Sequence, residues 1–281
     1  MRNILWTLAV LIGLLTGSAG AASRVDVEKQ FQRWIAGDLA AEAKRSGVSE
    51  RTLRTAFEGV SLNWSLPDLV PPGSSPPKSQ DQTQAEFSSP GAYFSESRLQ
   101  SLAATGRGLA RQHATTLRNI EATYGVPGEV LIAVWGRESG FGRAKLPHSA
   151  VEVLATKAFM STRQEMFRNE LIAALKMIEA GDISAASMMG SWAGALGQPQ
   201  FMPSSYLKYA VDFDGDGRRD IWNSVADSLA SIANYLSKSG WQRGRDWGFE
   251  VAISATLSCA QEGPDLARPI SAWADAGIQR V

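Results

Sequence analysis

The stretch Val130 to Arg143, VLIAVWGRESGFGR, carries a glutamate, Glu138, at the end of an apolar helical pattern. Glu138 follows Leu131 and Val134 at helical spacing, so we expect it to share their apolar face. Gly140 predicts the end of this helix. Apolar surroundings and the negative end of a helix dipole both raise the pKa of a carboxyl group. Glu138 is therefore a candidate general acid. The alternative is an ordinary glutamate at a helix end, paired with a neighbouring arginine.

The composition gives no indication of nucleic-acid binding. The chain has 281 residues, enough for one large domain or two small ones, with a formal net charge of zero and 20% charged residues. Nine tryptophans are spread along it, which suits both core packing and stacking on sugar rings. Cys259 is the only cysteine, so an intramolecular disulfide is excluded.

The N-terminus has the pattern of a cleavable signal peptide. Arg2 precedes an apolar run from Ile4 to Leu15 that is too short to span a bilayer, and an A-x-A site ends at Ala21. We therefore expect residues 1–22 to be removed and the mature protein to be soluble in the periplasm. No cysteine lies near the cleavage site, so we expect no membrane anchor in the mature chain.

Composition divides the remainder into three segments. Residues 23–64 have helical spacing, and Ser49 is a predicted N-cap within them. Residues 65–90 are rich in Pro, Ser and Gln, which indicates a surface loop or linker. Residues 91–281 carry the longest helical patterns and form the predicted core. The fold class is mainly α, with minor β.

Several helices of the predicted core have visible starts and ends. One long helix should run from Ser95 or Ser97 to Gly125, with His113 inside it. A second should cover Arg163 to Ala180, and Asp182 should then cap a short one. Further along, we predict a helix that starts at Ser224 and a short strand of alternating residues from Phe249 to Ile253.

Gly190 to Tyr206, GSWAGALGQPQFMPSSY, has the composition of a sugar-binding segment. Its glycines let the backbone approach a ligand closely, and hydrogen-bonding and flat apolar side chains are mixed among them: Ser191, Gln198, Gln200, Ser204, Trp192 and Phe201. No GxGxxG or P-loop pattern indicates a nucleotide. The alternative is a glycine-rich loop between helices, with one buried tryptophan.

The sequence DFDGDGRRD, Asp212 to Asp220, resembles a calcium-binding loop. The ligands of such a loop are side-chain oxygens and one backbone carbonyl. Here the side chains would come from Asp212, Asp214, Asp216 and Asp220, and the carbonyl from Arg218. Position 12 is Asn223 rather than the bidentate glutamate, and Asp227 is either its substitute or the capping partner of Ser224. The alternative is a solvated Asp–Gly turn. We expect any metal here to be structural, because the sequence shows nothing that couples it to Glu138.

Three motifs together resemble the lytic murein transglycosylase B family (glycoside hydrolase family 103). They are WGRESGFG, GSWAGALGQPQFMPSSY and DFDGDGRRDIW followed by SIANYL, within a similarity that runs from about Gln84 to Trp241. The resemblance implies a lysozyme-like core that cleaves the β-1,4 bond between N-acetylmuramic acid and N-acetylglucosamine, leaving a 1,6-anhydro sugar. It implies no required cofactor, although the acidic loop of some family members holds a structural calcium ion. The implied partners are peptidoglycan glycan strands and other cell-wall enzymes.

The same resemblance assigns roles to individual residues. Glu138 matches the single acid/base of the family. The positions that match cleft residues are Ser191, Gln200, Phe201, Tyr235 and, more weakly, Tyr93. Ordinary glycosidases need two carboxylates, whereas attack by the muramyl 6-hydroxyl needs only one.

One departure from the family keeps two alternatives open. Family members continue with a C-terminal segment that completes the core, whereas this sequence ends at Val281. We therefore expect a core without that part. The alternatives are a peptidoglycan-binding protein without activity, and a lysozyme-type hydrolase with a second acidic group.

Overall fold

The computed structural model describes residues 23–75, 95–255, 257–258 and 267–281. These residues are mainly helical, as predicted. The α-helices are α1 (Arg24–Trp34), α2 (Ala40–Arg45), α3 (Glu50–Phe57), α4 (Glu96–Gln112), α5 (Ala114–Tyr124), α6 (Gly128–Ser139), α7 (Ala150–Met160), α8 (Gln164–Ala180), α9 (Pro203–Tyr209), α10 (Val225–Lys238) and α11 (Ile270–Asp275). A π-helical turn, Ile35–Leu39, joins α1 to α2, and a 3₁₀ turn covers Ala185–Ser187.

The strands are short and form two antiparallel pairs. β1 (His148–Ser149) pairs with β2 (Met189–Gly190), and β3 (Val251–Ala252) pairs with β4 (Gln279–Arg280). The predicted signal peptide, most of the predicted linker, Tyr93 and Cys259 lie outside the described residues.

The chain divides into two compact units, one up to Gly240 and one from Trp241 to Val281. In the first unit α7 packs against α8, and α8 also contacts α3 and α9. The hydrophobic core here joins the N-terminal helices to α7, α8 and α9. Phe31 and Leu39 of the N-terminal segment and Leu154 and Leu171 of α7 and α8 are fully buried in it. Residues 23–64 therefore belong to the same packed body as the central helices.

A second group of helices carries the Glu138 motif. Helix α10 contacts α5, α6 and α9, while α4 contacts α5 and α6. The buried side chains of this group include Ile120 on α5, Leu131 and Trp135 on α6, and Leu229 on α10. Their burial fixes the position of α6, and Glu138 lies in its last turn.

Most of the predicted helix boundaries are confirmed. Ser49 and Ser224 cap α3 and α10, since each hydroxyl accepts a backbone N–H three residues ahead. Gly181 ends α8 in the left-handed conformation. The predicted long helix is wrong as a single element, because it breaks at His113 into α4 and α5. At the break, the His113 ring lies edge-on to Trp135, with ring centroids 6.1 Å apart.

The start of the predicted surface loop packs against the core. Leu66 is buried, and the N–H of Val70 donates to the carbonyl of Met160 at 2.6 Å. The ammonium group of Lys157, itself buried, donates to the carbonyl of Pro67 at 3.1 Å. Burial lowers the pKa of Lys157. At least this part of the segment is therefore held in place by the central helices.

Asp182 does not cap a helix, contrary to the sequence prediction. Ser184 caps the 3₁₀ turn instead. Asp182 forms an ion pair with Arg219, in which one guanidinium nitrogen, Nη2, donates to both carboxylate oxygens, at 2.7 and 2.9 Å. The carbonyl of Arg219 accepts the hydroxyl of Tyr206. Burial and the charge of Asp182 raise the pKa of Tyr206. The ion pair therefore joins the end of α8 to the acidic loop.

The second unit is small and open. It contains β3, β4 and α11, and none of its described residues is buried. The predicted strand is confirmed at Val251–Ala252, shorter than the alternation indicated. Several large apolar side chains are exposed, including Trp247 at 83% and Ile270 at 68%. None of the helices in the described ranges is both long and apolar enough to cross a membrane.

Candidate active site

Glu138 lies one residue before the end of α6 and is exposed to solvent. Gly140 ends the helix in the left-handed conformation, with φ of 57°. The hydroxyl of Ser139 then accepts the N–H of Gly142 at 3.0 Å, which holds the turn after the helix. The expected apolar surroundings of Glu138 are wrong. The buried face of α6 runs through Leu131, Trp135 and Ser139. Glu138, which directly precedes Ser139, therefore lies at the edge of this face.

Glu138 lines a polar cleft of about 1010 Å³, a volume at the upper end of ordinary ligand pockets. Most of the cleft comes from the first turns of α4, the end of α6 and the segment after it. Its lining comprises Ser95, Ser97, Arg98, Ser101, Leu102, Gly136, Arg137, Glu138, Ser139, Gly140, Ala144 and Gln200. Glu138 is the one carboxylate among these described residues. The cleft thus combines one acid with two arginines and several hydroxyl groups.

The Gly190–Tyr206 segment sends one predicted ligand-binding residue into this cleft. Gln200 lines it and has φ of 53°, and its side-chain N–H donates to the carbonyl of Gly197 at 2.9 Å. Ser191 has a different role, because its hydroxyl accepts the N–H groups of Ala193 and Ala195 and holds a tight turn. Trp192 is only partly buried, with the ammonium group of Lys157 4.9 Å from its ring.

Phe201 and Tyr235 form an aromatic cluster rather than part of the Glu138 lining. Their ring centroids are 5.8 Å apart, and Tyr209 packs edge-on against Tyr235 at 5.1 Å. Phe201 is 7% exposed and Tyr235 39%. Gln200 therefore shares the cleft lining with Glu138, whereas Ser191, Phe201 and Tyr235 are not among the described residues of that lining. Tyr93 lies outside the described residues.

The acidic loop brings three of its carboxylates together. One oxygen each of Asp212, Asp214 and Asp227 lies within 4.8 Å of the others. Calcium binds oxygen at about 2.3–2.6 Å, so oxygens on opposite sides of the ion are up to about 5 Å apart, and this group fits the ion. Asp216 accepts the N–H of Arg218, and Asp220 accepts those of residues 222 and 223. These two predicted ligands lie outside that group, and their carboxylates, like those of Asp212 and Asp227, accept hydrogen bonds from the loop backbone.

Asp227 connects the acidic loop to α10. It is fully buried, and its carboxylate accepts the N–H groups of Phe213 and Asp220, both at 2.9 Å. Its own N–H donates to the hydroxyl of Ser224, so it also belongs to the cap of α10. Burial raises the pKa of Asp227, while these backbone hydrogen bonds act in the opposite direction. Both roles considered for Asp227 are therefore compatible.

Gln198 lies between the Glu138 helix and the segment after the acidic loop. It is 8% exposed, and its side-chain oxygen accepts the indole N–H of Trp135 at 2.8 Å. Its side-chain N–H donates to the carbonyl of Trp222 at 3.0 Å. Hydrogen bonds therefore connect the segment after the acidic loop to the Glu138 helix, a link that the sequence alone does not show. The bonds join residues 63 and 24 positions apart, so no local pattern reveals them.

Comparison with known proteins identifies the family. A family model for the transglycosylase SLT domain matches residues 30–281. The chain belongs to this family. SltB3 from Pseudomonas aeruginosa, solved in complex with NAG-anhNAM-pentapeptide and with NAG-NAM-pentapeptide, is 38% identical to this SLT domain protein. The two superpose with a TM-score of 0.75, over 89% of this chain and 64% of that chain.

Two further relatives come from Escherichia coli. Membrane-bound lytic murein transglycosylase B of strain K12 is 40% identical over 145 residues, which is 51% of this chain and 39% of that protein. Slt35, solved in complex with calcium, is 32% identical with a TM-score of 0.58, over 65% of this chain and 59% of that chain. The predicted lytic murein transglycosylase B family and lysozyme-like fold are confirmed. The SLT domain chain spans less than two thirds of each relative.

Proposed function

We propose that this protein is a lytic transglycosylase that cleaves the β-1,4 bond between N-acetylmuramic acid and N-acetylglucosamine in peptidoglycan. The observation that carries the proposal is Glu138, exposed at the end of α6 in a polar cleft of an SLT domain. The SltB3 complexes support the substrate class, because anhNAM is the anhydro sugar that this reaction would leave.

In the proposed mechanism Glu138 acts first as an acid and then as a base. Its carboxyl group protonates the glycosidic oxygen while the bond from that oxygen to the muramyl C1 breaks, and the N-acetylglucosamine part leaves as an alcohol. The muramyl 6-hydroxyl then attacks C1, and the Glu138 carboxylate takes its proton. The two proton transfers cancel, and no water is consumed. A bound glycan would exclude water from the cleft, which favours the protonated acid at the start.

A lysozyme-type hydrolase is less well supported by the geometry. Hydrolysis in the usual mechanisms uses a second carboxylate, at about 5 to 9.5 Å from the first. Among the described residues that line the cleft, Glu138 is the one acid. The carboxylates of Asp212 and Asp220, in the acidic segment that a hydrolase could use, accept hydrogen bonds from their own loop. An inactive peptidoglycan binder is the other alternative.

The test is mass spectrometry of the soluble products released from murein sacculi. We expect muropeptides with 1,6-anhydromuramic acid ends from the wild-type protein. Glu138→Gln should reduce release by about 10²-fold or more, since it keeps the shape and removes the titrating proton. Glu129→Gln, an exposed glutamate in the first turn of the same helix, is the matched control and should retain activity.

Three outcomes would contradict the proposal in different ways. Undiminished release by Glu138→Gln, with unchanged products, would remove Glu138 from the chemistry. Reducing ends in place of anhydro ends would indicate the hydrolase. Binding to sacculi without any release would indicate the inactive binder. Circular dichroism of each variant would show whether the fold is intact.

The acidic loop supports a structural calcium ion as part of this proposal. Asp212, Asp214 and Asp227 would hold it, and the calcium complex of Slt35 supports the choice of ion. Because an ion that binds only the native state stabilises it, calcium should raise the Tm, and chelation should reverse this. Asp214→Asn should abolish the shift, whereas Asp38→Asn, which changes an exposed carboxylate elsewhere, should keep it. An unchanged shift in Asp214→Asn would rule this group out.

The proposed location is the periplasm, after removal of residues 1–22. Peptidoglycan lies there, so the location agrees with the proposed substrate, and other cell-wall enzymes are the proposed further partners. N-terminal sequencing of the exported protein should begin at residue 23. Recovery of the intact N-terminus from the cytoplasm alone would contradict the proposal.

A further inference from the structure

Gln198 uses both ends of its side chain to join separate parts of the first unit. Its oxygen accepts the indole N–H of Trp135 on α6, and its nitrogen donates to the carbonyl of Trp222 after the acidic loop. Its backbone N–H donates to the carbonyl of Ile221 at 2.8 Å. A buried amide that is satisfied on both sides has a single favourable orientation.

The side of Gln198 toward the acidic loop leads to the carboxylate group. The N–H of Trp222 donates to the Asp220 carboxylate at 2.9 Å, and the N–H of Asp220 donates to the Asp227 carboxylate at 2.9 Å. Asp227 belongs to the group that fits a cation. A continuous series of direct hydrogen bonds thus runs from Asp227 to Gln198.

The other side of Gln198 leads to the candidate acid. Trp135 precedes Glu138 by about one helical turn, and its ring is held edge-on by Phe141, with centroids 5.5 Å apart. The indole is 2% exposed, so a displacement of its hydrogen-bond partner must be taken up by α6 or by the turn after it. That turn contains residues of the cleft lining.

Two glycines allow the backbone to pack closely around the side chain of Gln198 and the segment that it contacts. A Cβ on Gly142 would lie 2.7 Å from the Gln198 side-chain oxygen. A Cβ on Gly197 would lie 2.6 Å from the carbonyl of Ile221. An apolar side chain at 198 would leave the buried indole N–H and the Trp222 carbonyl without their partner, which is costly.

We propose that Gln198 is a positioning residue that transmits the state of the acidic loop to the Glu138 helix. The inference rests on the proposed function, in that Glu138 is the group being positioned. Asp212, Asp214 and Asp227 would hold a Ca²⁺ ion, the Trp222 carbonyl would then be restrained through Asp220, and Gln198 would pass this restraint to Trp135. The loop then contributes to the geometry of the cleft as well as to stability.

The first experiment observes the transmission without any activity assay. The indole ¹H–¹⁵N signals of Trp135 and Trp222 are assigned by their loss in Trp135→Phe and Trp222→Phe. When CaCl₂ is added to the full chain, both signals of the wild type should shift. In Gln198→Met the Trp222 signal should still shift and the Trp135 signal should no longer respond.

Three results would overturn the proposal. One is a Trp135 signal that responds equally with and without the Gln198 amide. Another is a wild-type Trp135 signal that stays fixed while the Trp222 signal moves. If neither signal moves, no cation state is transmitted, and the proposal falls together with the calcium site. In all three cases the glycan-cleavage proposal is tested separately, by the products that the wild type and Glu138→Gln release.

The second experiment separates positioning from simple loss of stability. Gln198→Met should lower kcat about tenfold with KM little changed, since a displaced catalytic group costs rate even when the substrate binds. Thr156→Val is the matched control, because it removes one buried hydrogen bond, from the N–H of Asn63, within the other helix group. It should lower Tm comparably and keep kcat. Equal kcat for both variants would contradict a positioning role.

Discussion

Gly142 and Gln198 lie so close together that a methyl group added at position 142 would clash with the Gln198 side chain. Gly142 has φ of +74°, and an added Cβ would lie 2.7 Å from the Gln198 oxygen. Gly140 has φ of +57° but open space around its Cβ position. Both glycines therefore need a positive φ, but only Gly142 has a neighbouring side chain that an added Cβ would meet. This makes them a matched pair for mutation.

We predict that Gly142→Ala costs more stability than Gly140→Ala. Gly140→Ala should lower the free energy of unfolding by about 1 kcal/mol through backbone strain. Gly142→Ala should cost about 1–3 kcal/mol more, because Gln198 must move. Urea unfolding of both variants measures the difference, and equal losses would contradict the steric role of Gln198.

The sequence predicts the candidate acid but not its surroundings. Helical spacing correctly places Glu138 in the last turn of α6, and the glycine after it correctly ends the helix. Spacing cannot decide which neighbours bury a face, and α4 leaves Glu138 in a polar cleft. The role of Gln198 depends on contacts between distant segments, which a local pattern does not contain.

Helices with capping signals are predictable from the sequence, and fully buried helices are not. Ser49, Gly181 and Ser224 mark helix ends by local hydrogen bonds and local backbone conformation. Helix α7 was missed because nearly all of its residues are buried, so it has no polar face to produce a helical period. Helix α9 was missed within the glycine-rich segment, although Pro203 at its first position is a start signal.

Glu179 joins two helices through a pH-sensitive contact. Its carboxylate, on α8, accepts the N–H and the hydroxyl of Ser49 at the start of α3, both at 2.8 Å. Hydrogen bonds from Thr52 and Ser49 lower the pKa of Glu179 below its ordinary value of 4.5. The native state therefore binds this proton less readily than the unfolded state, and the contact stabilises the fold above pH 4.5.

We predict that Glu179→Gln lowers stability at pH 7, and that the difference from wild type disappears on acidification. The contribution of Glu179 should be complete above pH 4.5 and should be lost as the pH falls through its lowered folded-state pKa. Urea unfolding at several pH values measures it, with Glu121→Gln, an exposed glutamate on α5, as control. A difference that is constant with pH would show that the contact does not depend on charge.

The first unit has its own hydrophobic core, built from residues between Val27 and Ile221. Frequent prolines in residues 65–90 predict a linker between residues 23–64 and the central helices. A local pattern cannot show that the apolar faces of the N-terminal helices and of α7 and α8 pack together, because the pairing of distant faces has no local signature.

We predict that residues 23–240 fold without residues 241–281. The shortened protein should keep its cooperative unfolding and its Tm within about 4 °C, a shift that corresponds to about 1 kcal/mol in a chain of this size. It should also bind less of the dye ANS, because the removed unit exposes Trp247, Ile253 and Ile270. Circular dichroism and ANS fluorescence measure the two effects.

The matched control keeps the second unit and changes only its surface. Trp247→Ser and Ile270→Ser together should lower ANS binding in the full chain without moving the Tm, since both side chains are exposed. A large loss of Tm in the shortened protein, with the double variant unchanged, would mean that the core of the first unit depends on residues 241–281. An unchanged Tm with normal ANS binding would mean that the dye binds the first unit, where an apolar groove runs along α4 and α6.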